Sequence, residues 1–143
     1  MAQNYYAEIN LHITWHTKDN ALMLNADVET LVHRHLRKKA METRGVVVHA
    51  IGGTDDDVHI AVIIPPTLLI SDWVGQLKGS SSHGANQRLG LHGKVLEWQA
   101  GYGVVSFGTG DLQWVVRYIE NQRRHHAGGK AVDRLERITE DDA

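Results

Sequence analysis

Polar and apolar side chains alternate along residues 5–17. Tyr5, Ala7, Ile9, Leu11, Ile13 and Trp15 share one parity; Tyr6, Glu8, Asn10, His12, Thr14 and His16 share the other. A period of two predicts a strand with its apolar side packed on helices and a polar side facing elsewhere. The period then changes. Val28, Leu31, Val32, Leu36 and Ala40 fall near helical spacing, Asn25 or Asp27 can cap a helix to about Thr43, and Gly45 fits its stop. Arg34, Arg37, Lys38 and Lys39 lie on its other side. Residues 46–51 are apolar and rich in β-branched side chains, which predicts a strand, and Gly52-Gly53 open the turn into a second alternating run. That run covers residues 57–64 and ends at Pro65-Pro66, so the two form a hairpin.

Ser71 or Asp72 is placed to cap a second helix through about Arg88, with Trp73, Val74 and Leu77 inward. Gly79, Ser80, Ser81, Ser82 and Gly84 are poor helix formers, so this helix must lean on tertiary contacts. Residues 90–93 read as a loop, and residues 97–107 as a strand around Gly101-Tyr102-Gly103. Thr109, Gly110 and Asp111 start a last helix running to about His126, docked through Leu112, Val115, Val116 and Ile119 and stopped by Gly128-Gly129. Val132, Leu135 and Ile138 suggest one further helical turn before a frayed acidic end.

The order β-α-β-β-α-β-α predicts an α+β ferredoxin-like sandwich: an antiparallel sheet, helices on one face, and an added C-terminal helix carrying Tyr118. The polar sheet face is expected to be open. Residues 1–130 read as a single domain and residues 131–143 as an acidic C-terminal tail.

Composition narrows the classes of function. With 143 residues and 42% hydrophobic content, the chain can bury a core, and no apolar run approaches the ~20 residues of a membrane helix. No export signal is visible at the N-terminus, so the cytoplasm is the expected compartment. The absence of cysteine excludes disulfides and thiolate metal sites. The net charge of −2 gives no global support for nucleic-acid binding, but five acidic residues against two arginines from Asp133 onward put −3 on the tail, leaving about +1 elsewhere. Ten histidines can serve as ligands, phosphate donors or polar surface.

Two places carry candidate chemistry. Asp57 and His59 share a strand parity and emerge side by side, as a divalent metal needs; a hairpin turn with a surface carboxylate and an ordinary histidine is the plainer alternative. On the last helix Tyr118 and Gln122 are four apart and share a face, in a stretch made basic by Arg117, Arg123 and Arg124 against Glu120. A helical tyrosine is commonly a core or interface residue. A tyrosine hydroxyl beside a ligand amide and cations is instead what a phosphate-attacking nucleophile requires, since a phenol of pKa ~10 needs local positive charge. Gln122 offers a carbonyl oxygen to a metal shared with Asp57 and His59.

The chain resembles the small single-tyrosine transposases of the HUH endonuclease superfamily, which include the REP-associated tyrosine transposases. The resemblance rests on His12-Ile13-Thr14-Trp15 with Lys18; Asp56-Asp57-Val58-His59-Ile60-Ala61-Val62 followed by Pro65-Pro66; Leu77-Lys78-Gly79-Ser80-Ser81; Gly101-Tyr102-Gly103-Val104; and Tyr118-Ile119-Glu120-Asn121-Gln122. It implies a ferredoxin-like homodimer that recognises single-stranded DNA hairpins and needs Mg²⁺ or Mn²⁺. Tyr118 would attack a phosphodiester to give a 5′-phosphotyrosine and a free 3′-hydroxyl, with His59 as the second HUH histidine and Gln122 as a ligand. The resemblance also implies that the tyrosine helix can be exchanged between protomers. One position departs: the first HUH histidine falls on Asp57, itself a suitable oxygen ligand for hard cations. Lys78, Arg88, Arg117, Arg123 and Arg124 are the candidate DNA-contacting cations, with His12 as a further candidate on the polar sheet face. Two other readings keep the fold: a hairpin DNA-binding protein without cleavage, and a ferredoxin-like regulatory dimer that binds a small molecule and uses Tyr118 and His59 as packing residues.

Overall fold

A computed structural model of the chain describes residues 4–122 and 131–138. Strand β1 is Ile9–His16, helix α1 Ala26–Glu42, β2 Val47–Gly53, β3 Asp57–Ile64, α2 Ile70–Leu89, β4 Gly103–Phe107, α3 Leu112–Glu120 and α4, a single turn, Asp133–Glu136. The strands form one sheet in the order β2-β3-β1-β4, every neighbouring pair antiparallel. This is the ferredoxin-like arrangement, with β3 inserted between β1 and β2.

The alternation of β1 does what a period of two demands. Leu11, Ile13 and Trp15 meet Val58, Ile60, Val62 and Ile64 of β3 in one buried layer, covered by Val28, Val32, Leu36 and Ala40 of α1 and by Trp73, Val74 and Leu77 of α2. Fully burying one such aliphatic side chain stabilises the fold by about 1.5–3 kcal/mol, so this layer fixes the sheet register. Asn25 caps α1, its side-chain oxygen accepting from Val28 N at 3.1 Å.

Three boundaries differ from the pattern. Helix α2 begins after Leu69 with no side-chain cap, and Ser71 and Asp72 lie within its first turn. It survives its glycines and serines because Ser81 is buried, with Oγ donating to Leu77 O at 2.8 Å and accepting from Trp98 Nε1 at 3.2 Å. The last strand is short. Of residues 97–102 only Trp98 pairs, in an isolated bridge to Thr17, and Gly101 turns the chain at φ +94°. Thr109–Asp111 make a 3-10 turn ahead of α3. The expected extension to His126, with Arg123 and Arg124, lies outside the described residues.

The largest correction concerns the polar sheet face, which is not open. Helix α3 lies across β2 and β3, burying Val115 and Ile119 against Ala50 and Ala61. The small side chains admit it, and Gly52 completes the fit, since a Cβ there would collide with the Ile119 carbonyl oxygen. Helix α4 packs on β1 and β4. Leu135 is buried there, Arg134 Nη2 donates to Ser106 O at 2.5 Å, and the Arg137 carbonyl sits where a Cβ on Gly103 would be. Asn10, His12 and Thr14 are consequently buried although polar.

Candidate active site

Beneath α3 and α4 the polar face of the sheet holds a chain of titratable groups. Asp57 and His59 project from β3 toward this face, and His12 reaches them diagonally from β1. His12 Nε2 and His59 Nδ1 are 2.9 Å apart. His59 Nε2 lies 3.3 Å from Asp57 Oδ2 and 3.1 Å from Glu136 Oε1. The second Glu136 oxygen accepts a short hydrogen bond from Tyr118 Oη, which also accepts from Val132 N at 2.8 Å. One carboxylate thus joins the imidazole to the phenol. The Tyr118 ring stands edge-on to that of His59, with centroids 6.3 Å apart, so one chain brings both into a single site.

The sequence explains each placement. The turn before β3 turns Thr54 back on Asp57, so that Thr54 N and Oγ1 donate to Oδ1 at 2.8 and 2.9 Å and leave Oδ2 for His59. Tyr118 lies on the side of α3 that carries Ile119 inward, Gln122 follows four residues later just past the end of that helix, and all three are buried. Glu136 follows the buried Leu135, whose docking carries the acid into the site.

The electrostatics follow from burying charges that face one another. Burial would discharge His59, but Asp57 and Glu136 outweigh it and raise its pKa to about 9. Burial would raise Asp57; hydrogen bonds and charge from His59, with the Thr54 donors, hold it instead at about 2. Glu136 is also lowered, the His59 and Tyr118 contacts overriding its burial. Tyr118 is pushed up to about 12 by burial and by the Glu136 carboxylate. His12, buried beside His59, falls to about 3 and is a neutral imidazole. A neutral His12 accepts at Nε2 the proton on His59 Nδ1, which points the other His59 nitrogen at the carboxylates.

Asp57, His59 and Glu136 each offer one donor atom, all within 4.8 Å of one another. Two carboxylate oxygens and an imidazole nitrogen suit a hard divalent cation such as Mg²⁺ or Mn²⁺. Gln122 Oε1 is buried with no hydrogen-bond partner among the described residues, as a further oxygen donor would be before it meets a cation. Gln122 Nε2 is 3.4 Å from Tyr118 O.

The candidate DNA contacts divide. Arg117 is exposed on α3 beside Tyr118. Arg88 is exposed at the end of α2, in the layer across the sheet. Lys78 Nζ donates to Gln99 O at 2.7 Å and Gly101 O at 2.9 Å, tying the segment ahead of β4 to α2. His12 lies on the expected face, but it is buried and engaged by His59, which leaves no surface for a strand. Glu136 is the member of the site that sequence reasoning missed. The signal was available: an apolar residue at position 135 inside an acidic tail has to dock somewhere.

A split β-α-β sheet with a buried acid–imidazole pair facing a helical tyrosine defines a class of site, and comparison places the chain within a family. The family model described as "Transposase IS200 like" matches residues 5–122, most of the chain, which therefore belongs to the IS200-like transposases. A candidate transposase from Deinococcus radiodurans R1 is 25% identical in sequence and superposes with a TM-score of 0.67, over 85% of this chain and 96% of that one. A REP-associated tyrosine transposase solved bound to a REP hairpin has the same fold at 16% identity, with a TM-score of 0.62 over 92% of this chain and 75% of that one. No curated protein matches. Among the described residues no helix is long and apolar enough to cross a membrane.

Proposed function

We propose that the chain cleaves and rejoins single-stranded DNA at hairpin-flanked sites, with Tyr118 as nucleophile and Asp57, His59 and Glu136 holding Mg²⁺ or Mn²⁺. Gln122 Oε1 is the fourth protein donor. The observation that carries this reading is the single carboxylate bridging Tyr118 Oη and His59 Nε2 next to Asp57. A bound cation would polarise the scissile phosphate and supply the positive charge that a phenol needs in order to ionise. Glu136 Oε2 accepts the phenolic proton, Tyr118 Oη bonds to phosphorus, and the bond to the 3′-oxygen breaks. That oxygen takes a proton from solvent and departs as a 3′-hydroxyl, leaving a 5′-phosphotyrosine that the same hydroxyl, or another, reverses. The relative solved with a REP hairpin supports hairpin DNA as the substrate, and the protein acts as a homodimer. The described part of the acidic segment, residues 131–138, belongs to the working unit through Glu136. The direct test is a denaturation-resistant protein–DNA adduct formed with a 5′-extended hairpin oligonucleotide and Mn²⁺; free oligonucleotide alone under every divalent metal overturns the assignment.

His12 is assigned to position His59. Replacing it with Ala removes the acceptor for His59 Nδ1–H and is expected to weaken Mn²⁺ binding roughly 10- to 100-fold in a titration calorimeter. Unchanged affinity refutes the role.

Acid and base act on the metal-free protein in opposite senses. Asp57, at about 2 instead of 3.8, stabilises the fold above pH 3.8, and this is lost as pH falls toward 2. His59, at about 9 instead of 6.5, stabilises it fully below pH 6.5, and this is lost as pH rises toward 9. His12, held neutral at about 3 instead of 6.5, costs the fold stability as pH falls below 6.5. Denaturant melts without metal should therefore peak near pH 6.5, declining on the acid side through His12 and on the alkaline side through His59, the latter on the order of 1–3 kcal/mol by pH 9. Mn²⁺ must displace the His59 proton, so its stabilising effect grows across the window where metal-free stability declines. A flat metal-free profile from pH 6.5 to 9 would contradict the buried pair.

A further inference from the structure

Trp114 has no part in the chemistry described above, yet it abuts the nucleophile. It sits one helical turn before Tyr118 on α3, and the two rings stack with centroids 5.5 Å apart and an interplanar angle of 17°. One indole face is covered by the phenol. Trp114 nevertheless remains 49% exposed, so its other face meets solvent. Arg117 and Asn121, both exposed, line a cavity of 220 Å³ together with the two aromatic rings. Asn121 Nδ2 donates to Arg117 O at 2.8 Å, leaving its carbonyl oxygen to accept.

The surroundings decide what such a ring can bind. An apolar interface would flank Trp114 with further apolar side chains, but the exposed residues around it are Gln113, Arg117 and Glu120 of α3 and Asn121 at the helix end. A lone indole amid polar groups, with a guanidinium one turn along, matches a nucleotide: a flat apolar base joined to a phosphate. We propose that Trp114, Arg117 and Asn121 form a nucleobase site. The base adjoining the phosphodiester presented to Tyr118 stacks on the outer indole face. Arg117 pairs with a flanking phosphate, and Asn121 accepts from the base edge. The inference rests on the single-stranded DNA reading and adds to it where the strand enters and what grips it. Stacking is tolerant of base identity, so this site grips the strand while the hairpin selects it.

Titration of the Tyr118→Phe chain with a single-stranded oligothymidine of roughly ten nucleotides tests this, within the ~4–16 nucleotides that one such surface covers. Tyr118→Phe prevents covalent capture from obscuring affinity. Binding is followed by anisotropy of labelled DNA and by tryptophan emission. Trp15 and Trp73 are buried at 0% and 2% exposure and Trp98 is half-buried with its indole N–H bonded to Lys78 O, so the part of the quenching that Trp114→Phe removes reports on Trp114. Quenching is expected in the parent and absent in Trp114→Phe, which keeps a stacking ring and binds within a few-fold. Trp114→Ala should bind roughly 5- to 150-fold more weakly, the loss of one stacked base. Anisotropy showing binding with unaltered emission and full affinity in Trp114→Ala overturns the nucleobase site and leaves the DNA reading standing. No binding to this oligonucleotide or to a hairpin at low salt overturns both. A Trp114→Ala chain that changes its sedimentation mass but not its DNA affinity assigns the indole to a second copy of the protein and overturns the proposal.

Discussion

Tyr118→Phe is expected to abolish the covalent adduct with hairpin DNA and to lower strand cleavage by roughly 10³-fold or more, while hairpin affinity stays within a few-fold. The substitution removes one oxygen. That oxygen donates to Glu136 and accepts from Val132 N, and without it Glu136 keeps His59 at 3.1 Å. The ring still fills its place between His59 and Trp114, so the cost in stability is that of two hydrogen bonds, about 1–3 kcal/mol. Fold and binding should therefore survive where chemistry does not, which melting and anisotropy can establish before cleavage is assayed. An adduct that persists in Tyr118→Phe sinks the assignment of the nucleophile. Mass spectrometry of the nucleotidyl peptide would then name the residue that replaced it; Tyr5 and Tyr6, at 40% and 84% exposure, are the accessible alternatives.

The helices and strands could be read from the chain because burial writes a period into it. Leu11, Ile13 and Trp15 recur every second residue, and Val28, Val32 and Leu36 every fourth, because each meets a neighbouring layer. The parity that put Asp57 beside His59 is the same signal, and it holds in the structure. Harder to read was what lies over the polar face. Ala50, Gly52 and Ala61 look like weak strand residues, yet they are the hollow that receives α3. Their smallness is informative only once the partner is known. Glu136 was hidden for a related reason: charge around Leu135 suggested a solvated tail, and one apolar side chain at a docking point weighs little against five acids. The contact between His12 and His59 depends on the register of β1 against β3, which no local pattern states. Lys78 shows the converse, since a motif lysine that looked ready for phosphate is committed to two main-chain carbonyls.

Asp57 carries the second large effect, because it serves both the fold and the proposed metal. Asp57→Asn keeps the size and removes the charge beside His59, whose imidazolium then has Glu136 as its remaining carboxylate. Breaking a buried pair by removing one partner costs about 3–5 kcal/mol, so the metal-free variant should melt well below the parent at pH 6. An anionic ligand also disappears, so Mn²⁺ should bind more weakly and rescue less of the lost stability than in the parent. Asp57→His gives the His-x-His pattern that the sequence resemblance implies and separates the two roles. Without metal, a second imidazole beside an already cationic His59 is repulsive, so the variant should be the less stable protein. With metal, it supplies a nitrogen in place of an oxygen, which shifts preference away from Mg²⁺ and toward cations that favour imidazole. The comparison is decisive for activity. If the parent forms adduct with Mg²⁺ or Mn²⁺, a site with an oxygen donor at position 57 supports the chemistry. If adduct forms in Asp57→His alone, this chain retains the scaffold and the nucleophile but not the catalysis. Mn²⁺ binding by Asp57→Asn as tight as in the parent would remove Asp57 from the site altogether and leave its carboxylate to hold His59 in place.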